Sequence, residues 1–349
     1  MNAVDVRESF AHRSSRGASP RTLRVLVVTN MYPSAEHPSY GAFVATQVRS
    51  LSQAGVTVQV EFINGRKTIT AYALAPYRIR RLARSRRFDL VHAHYGLTGW
   101  AAMFQDLPLV VSYVGDDLLG TPRRGGRLTV KSRISRTLGL MAARRAAALI
   151  CVSDNLRRAL SRPEDRARAH VIPLGVDTAL FAPGDRRAAR ARLGVAQDEL
   201  LVLFPNTPTE PRKRLDVAEA AMARLKAAGV SARLWVVAGV ANSGMPDYFR
   251  AADCLLLTSD WEGSPMVVRE ALSTDLPVVS VDAGDVRLWL DRVPGCQLAT
   301  RDPEAIAQGL AAVLRQGGRV DGRAIRTELA IDRVTARVVD VYRDVLRAV

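Results

Sequence analysis

Cysteine is scarce and poorly placed for bonding. Cys151, Cys254 and Cys296 are far apart and odd in number, and no Cys-x-x-Cys pair occurs. A disulfide framework and a structural zinc site are therefore excluded, and a reducing compartment fits best. No uncharged apolar run approaches the roughly 18 residues that a membrane-crossing helix needs. Residues 1–22 carry scattered charges, Ser and Pro but no apolar core, which excludes a secretory signal and reads as a disordered lead-in. The expected location is cytoplasmic. Aromatics are 6% of the chain, too few and too dispersed for the stacking platforms of a single-strand nucleic-acid binder.

Positive charge is plentiful and unevenly spread. The formal net charge is +16. Residues 1–183 hold 27 Lys and Arg against 12 Asp and Glu, whereas residues 184–349 hold 23 against 22. A uniform bias would charge both halves, so the first half is expected to meet an anionic partner such as a phospholipid surface, a phosphorylated lipid or nucleic acid. Residues 72–87 place Leu74, Tyr77, Ile79 and Leu82 among Arg78, Arg80, Arg81, Arg84, Arg86 and Arg87. Such a basic amphipathic helix reads as a membrane-surface element. Arg123, Arg124, Arg127, Lys131, Arg133 and Arg136 form a second basic stretch. The alternative is a helix packed by its apolar stripe with solvated arginines. No nucleic-acid partner is expected.

At 349 residues and 48% apolar content, the chain suits two domains better than one core. Short β-branched runs at 23–29, 56–63, 89–92, 107–112 and 148–153 alternate with helical spacing at 42–54 and 74–87. The rhythm restarts after residue 183, with strands expected at 199–204, 233–238, 254–258 and 278–281. Helices are expected there at 215–228, 265–273 and 303–315. Strands alternating with helices over short connections imply parallel, doubly wound sheets. The expected fold is α/β, with two Rossmann-like domains (23–183 and 184–333) facing across a cleft. A C-terminal helix, 334–349, is expected to return to the first domain. Ligands of such folds bind at the carboxyl ends of the strands.

Residues 259–272 (SDWEGSPMVVREAL) are dense in candidate groups and directly follow a strand. Ser264 as N-cap and Pro265 as first helical residue would start a helix there. Its free amides, including those of Met266 and Val267, would form an anion site suited to a diphosphate. Glu262 precedes this helix and Glu270 lies roughly 7 to 8 Å along it, so the two carboxylates would hold different hydroxyl-bearing groups. Capping and ordinary surface exposure are the competing readings. Arg212, Lys213 and Arg214, at the carboxyl end of another strand, suit a diphosphate as well.

The segment Glu262 to Glu270, E-G-S-P-M-V-V-R-E, resembles the E-x7-E motif of retaining glycosyltransferases of the GT-B fold, family four. Val171 to Phe181 (VIPLGVDTALF), Asp89 to His94 (DLVHAH), Tyr40-Gly41 and residues 277–284 (PVVSVDAG) are similar to further family segments in the same order. The resemblance implies that Glu270 binds ribose hydroxyls and Glu262 a hydroxyl of the donor sugar. It also implies that Gly263 and the amides of Ser264, Met266 and Val267 face sugar and diphosphate. Lys213 would neutralise the leaving diphosphate, and Gly41 would let the first loop approach it. Neither metal nor cofactor is implied, because cations and helix dipoles can stabilise the leaving charge.

Three positions depart from the family pattern. Pro208 stands where an arginine is common, leaving Arg212 or Arg214 to substitute. Val114-Gly115-Asp116-Asp117 lacks the histidine of the family's H-G-x-D, so Asp117 is the surviving acceptor-side element. Residues 239–247 are short, leaving the nucleobase unread. His94, at a strand's carboxyl end, is a further acceptor-side candidate. With His92 it lies two residues away on one side of a strand, but too few other ligands accompany the pair to expect a metal. The reading is a retaining, metal-independent glycosyltransferase using a nucleotide-sugar donor and a glycolipid, polysaccharide or related acceptor. A nucleotide-sugar 2-epimerase on the same fold and a nucleic-acid-binding protein are the alternatives.

Overall fold

The computed structural model describes residues 22–348 apart from 35, 38, 66–69, 86, 122–126 and 206–209. The expected lead-in, save Thr22, and Arg86, Arg123, Arg124 and Pro208 lie outside the described residues. In the first half, β1 (Arg24–Thr29), β2 (Thr57–Phe62), β3 (Leu90–His94), β4 (Leu109–Tyr113), β5 (Ala148–Cys151) and β6 (Ala169–Val171) form one sheet. They are joined by α1 (Ala42–Gln53), α2 (Thr70–Arg84), α3 (Gly96–Ala102), α4 (Asp116–Leu119), α5 (Val130–Arg145), α6 (Asp154–Ala159) and α7 (Pro163–Ala167).

In the second half, β7 (Leu201–Pro205), β8 (Arg233–Val237), β9 (Cys254–Leu257), β10 (Val278–Val281) and β11 (Gln297–Ala299) form the other sheet. Their companions are α8 (Arg186–Leu193), α9 (Leu215–Ala227), α10 (Met245–Ala251), α11 (Met266–Ser273), α12 (Val286–Leu290), α13 (Pro303–Gln316) and α14 (Arg323–Leu329). The helix α15 (Ile331–Arg347) follows.

All paired strands run parallel, in the orders β2-β1-β3-β4-β5-β6 and β11-β10-β9-β7-β8. The expected pair of doubly wound domains is therefore present. Continuous apolar runs suit these strands because both faces of each sheet are covered. Along β1, Leu26 and Val28 join the apolar cluster on one face, and Val25 and Val27 that on the other. Leu201 and Leu203 of β7 likewise face away from Val202 and Phe204.

The chain crosses between domains twice, and the crossings lie together. The Val176 amide donates to the Leu329 carbonyl at 2.7 Å, and the Ile331 amide to the Val176 carbonyl at 2.9 Å. From there α15 runs over the first sheet, where Val334, Val338, Val341 and Tyr342 join Val25, Val27 and Leu90. Tyr342 Oη lies 2.5 Å from His92 Nδ1, and His92 Nε2 lies 2.7 Å from Ser112 Oγ. Two differences from the sequence-based expectation matter below. Helix α2 begins at Thr70 and accommodates Pro76, and the basic stretch after residue 127 contains the long helix α5.

Candidate active site

The carboxyl ends of the two sheets face one cleft of 440 Å³. That size lies within the range of about 300–1,000 Å³ usual for small-molecule sites. Met31, Phe43 and Thr46 from the first domain and Lys213, Glu262 and Glu270 from the second line it. Its far wall is the Val237–Val240 segment after β8 with Asn242.

Helix α11 points its amino end into this space. Pro265 occupies the cap position with an extended backbone, and the helix begins at Met266. This corrects the expected cap: the Ser264 hydroxyl donates to Asp285 Oδ2 at 2.7 Å instead. The carboxylate is the stronger acceptor, and Pro265 keeps the chain extended before the helix. The amides of Met266 and Val267 belong to the first turn and have no intrahelical acceptor, so the anion-binding end is retained. Ser264, Met266 and Val267 all line the cleft.

The loop before α11 braces one carboxylate. Glu262 Oε1 accepts from Lys213 Nζ at 2.7 Å and Ser259 Oγ at 2.8 Å, and Arg212 Nη1 lies 3.0 Å away. Burial alone would push the pKa of this 8%-exposed group up, but Lys213 and Arg212 outweigh it and hold the pKa below the usual range. All three contacts go to Oε1. Arg212 also lies 5.1 Å over the Trp261 ring. The Thr258 hydroxyl donates to the carbonyls of Lys213 and Arg214, which pins the turn carrying Lys213 to the end of β9.

Glu270, one helical turn deeper, is the opposite case. It is half-buried in the cleft wall, and no group among the described residues hydrogen-bonds its carboxyl. Burial pushes its pKa up to about 7, against the lowering effect of Arg269. Arg269 is fully buried and turned away from the cleft: Nη2 meets Asp285 Oδ2 at 2.5 Å, and Nη1 meets the Leu174 carbonyl of the interdomain crossing at 3.2 Å. Because Asp285 also holds Ser264 and Trp289 Nε1, one carboxylate ties the start of α11 to the crossing. Sequence reasoning missed Ser259, Arg269 and Asp285. Ser259, between β9 and Glu262, was the one signalled by position.

Other candidates are placed differently. Arg214 is held by Asp216 at 2.9 Å and Asp260 at 3.0 Å, outside the cleft wall, so only Arg212 stays beside Glu262. Gly41 has φ +70, and a Cβ there would meet the Met31 carbonyl carbon at 2.3 Å. Gly263 packs its backbone on Val114 and Gly115 of the first domain, where a Cβ would lie 2.4 Å from the Val114 oxygen. Ser153 donates across the same contact to the Gly263 carbonyl at 3.2 Å. These glycines serve close backbone approach rather than direct lining.

His94 is 1% exposed, lies against His92 with ring centroids 4.2 Å apart and the planes tilted by 37°, and is outside the cleft wall. Burial lowers its pKa to about 4, so it is neutral. Asp117 is fully enclosed and accepts from the amides of Gly96, Val114 and Gly115, while burial raises its pKa to about 7. Its carboxyl shapes the loop whose Val114 lines the cleft. Among the described residues, no group of three or more His, Cys, Asp or Glu is placed to hold a metal.

Residues 8–180 match the family described as Glycosyltransferase Family 4, and residues 211–316 match Glycosyl transferases group 1. A D-inositol 3-phosphate glycosyltransferase of Xylanimonas cellulosilytica is 30% identical over 305 residues, covering 73% of this chain and 72% of that protein. Its counterpart from Geodermatophilus obscurus is 28% identical over 301 residues, and the match spans 71% of this chain but 66% of that protein's length. The solved structure of Anabaena HepE in complex with UDP-glucose superposes with a TM-score of 0.65 at 17% identity, covering 92% of this chain and 100% of that one. At that identity the likeness concerns the fold.

Proposed function

The chain belongs to glycosyltransferase family 4, of the GT-B fold, and from that premise we propose that it transfers a sugar from a nucleotide-sugar donor with retention of configuration and without a metal. One observation carries the reading. A free carboxylate, Glu270, and a braced one, Glu262 with Lys213, face the same cleft around the amino end of α11. Glu270 has no hydrogen-bond partner among the described residues and is fitted to accept ribose hydroxyls. Lys213 and the amides of Met266 and Val267 place positive charge where a departing diphosphate would gather electrons. Glu262, kept ionised, directs a donor-sugar hydroxyl beside the reacting carbon. The acceptor hydroxyl then attacks the face from which the diphosphate leaves, the bond to the diphosphate oxygen breaking as that oxygen takes the hydroxyl proton, which preserves the anomeric configuration.

The nucleotide-sugar reading draws support from HepE, whose structure holds UDP-glucose. We further propose a glycolipid, polysaccharide or related glycan as acceptor, met at an anionic membrane on its cytoplasmic side through the basic first half. The 2-epimerase alternative is not favoured by the family matches. An epimerase would convert its donor with no acceptor present.

A thermal-shift screen against UDP, GDP, ADP and TDP and their sugars identifies the donor. A ligand bound only by the folded chain adds about 2.7 kcal/mol at a hundredfold excess over its Kd. The product formed with that donor, followed by proton NMR with and without EDTA, should keep the donor's anomeric configuration at an unchanged rate. An inverted product, or activity abolished by EDTA, would overturn the mechanism. Stabilisation by no nucleotide would overturn the site.

A further inference from the structure

Seven large apolar side chains stand exposed among the described residues, and six of them belong to the first domain's α2–α3–α5 side. Leu74 and Tyr77 are on α2, Phe104 follows α3, and Val130, Ile134 and Met141 are on α5. Exposure runs from 41% for Met141 to 74% for Val130. Helix α2 packs on α3 and α3 on α5, so these residues share one side of the sheet.

The arrangement on α5 inverts that of an ordinary surface helix. Its inward face is made of small residues, Gly139, Ala142 and Ala143, which let α3 approach closely. Its outward face holds Val130, Ile134 and Met141, spaced at i, i+4 and i+11 on a single stripe. Lys131, Arg133, Arg144 and Arg145 flank that stripe.

Helices α2, α3 and α5 contain no Asp or Glu. Arg78 and Arg84 reach Glu61 and Asp106 off the helices, and Arg136 donates to the Leu118 carbonyl. Arg80, Arg81, Lys131, Arg133, Arg144 and Arg145 make no ion pair among the described residues. Exposed apolar side chains framed by unopposed cations match an anionic bilayer, which offers acyl chains beneath negative headgroups. A second copy of this face would bring like charges together.

We propose that the α2–α3–α5 side docks on an anionic lipid bilayer with α5 as the inserting element. Val130, Ile134 and Met141 enter the boundary between headgroups and acyl chains, while the flanking cations meet lipid phosphates. The proposal deepens, and rests on, the reading that the acceptor is met at a membrane. Position favours it. The amino end of α2 is tied to the cleft side by Asn30, which donates to Tyr72 Oη at 2.9 Å, and that of α5 is held to the segment after α4 by Ser132, whose Oγ accepts from the Thr121 amide at 2.7 Å. Met31, next to Asn30, lines the cleft, as does Val114 at the end of β4. A lipid-borne acceptor would reach the site without leaving the surface.

Insertion distinguishes this from electrostatic attachment, which salt removes. The test is co-sedimentation of the full chain with phosphatidylcholine vesicles, with and without phosphatidylglycerol, at low and high salt. The wild type should bind the anionic vesicles and keep part of that binding at high salt. Val130→Ser, Ile134→Ser and Met141→Ser combined should weaken partitioning at least about tenfold at every salt concentration, since losing even two buried methylenes costs that factor. Arg80→Ser with Arg133→Ser and Arg144→Ser should remove mainly the salt-sensitive part. Indifference of the wild type to anionic vesicles, or wild-type binding by the triple serine variant, would overturn the proposal. Light scattering that shows a dimer broken by the serine substitutions would assign the face to a second copy and overturn it too. Nucleotide-induced thermal shifts, measured on the same samples, report the donor site separately.

Discussion

The two domains use arginine in opposite ways. In the second domain, guanidinium groups are brought to acids: Arg186 and Arg190 share Asp253, Arg192 meets Asp247, Arg233 meets Glu199, Arg292 meets Glu328, and Arg326 meets Asp275. Most of these pairs are partly exposed, but Arg190 is fully buried, and removing the partner of a buried charge is strongly destabilising. On α2 and α5 of the first domain most basic side chains make no ion pair among the described residues, and several stand beside exposed apolar groups. The near-neutral half thus pairs its charges within the domain, several of them at the amino ends of its strands, whereas the α2–α5 side of the basic half leaves its charge facing outward. Net charge alone would not have separated these two uses.

The largest expected effect comes from breaking the internal use. Asp253→Ala strands the fully buried Arg190 without its carboxylate, and urea unfolding should show a loss of about 3–5 kcal/mol. Next is Lys213→Ala, expected to lower kcat by about a hundredfold or more while nucleoside affinity changes little, because the charge acts on the departing group. A variant with wild-type kcat would place the phosphate clamp elsewhere, with Arg212 the next candidate.

Asp117 sharpens the comparison, being a buried acid of the basic half that is served by backbone amides and no arginine. Its folded pKa of about 7 lies above the unfolded value near 3.8, so the folded state binds more protons in between. The associated stability is fully present below about pH 4 and is lost as pH rises through about 7, on the order of 4 kcal/mol at most. Asp117→Asn should flatten that slope in a Tm series from pH 4 to 8, at a cost of about 1–3 kcal/mol for imperfectly matched amides. The smallest effect belongs to the outward arginines. Arg81→Ser or Arg144→Ser should alter unfolding free energy by less than about 0.5 kcal/mol. A change as large as that of Asp253→Ala would mean that the outward cations are structural after all.

Much of the fold was legible because parallel strands buried on both faces read as short apolar runs. Val278 to Val281 emerged with the expected bounds, and β1, β2 and β7 within about two residues of theirs. Helices α3 and α5 were not legible as a pair. Gly96, Gly99 and Gly139 argue against helix by propensity, yet close packing requires them: a Cβ on Gly99 would lie 3.0 Å from Val111 and 3.1 Å from Ala142. The outward apolar stripe of α5 also reverses the usual sense of amphipathicity. At the site, Glu262, Lys213 and Glu270 were found from the order of their motif, and the structure brings all three to one cleft. Ser264, Arg214, His94 and Asp117 were legible as residues but not as roles. Which partner each takes depends on Asp285, Asp260, His92 and the amides around Gly115, and those contacts arise only when distant segments meet.

Calorimetric titration of the donor's nucleoside diphosphate, from pH 6 to 8, into the wild type and Glu270→Ala tests the central claim most directly. Glu270 must be ionised to accept ribose hydroxyls, so wild-type affinity should rise through pH 7 and level off above it, following the pKa of about 7. The alanine variant should bind about 1.5–3 kcal/mol more weakly at pH 8, the usual size of a charge-assisted hydrogen bond, and lose the pH dependence. Equal affinity of the two proteins across that range would contradict the account.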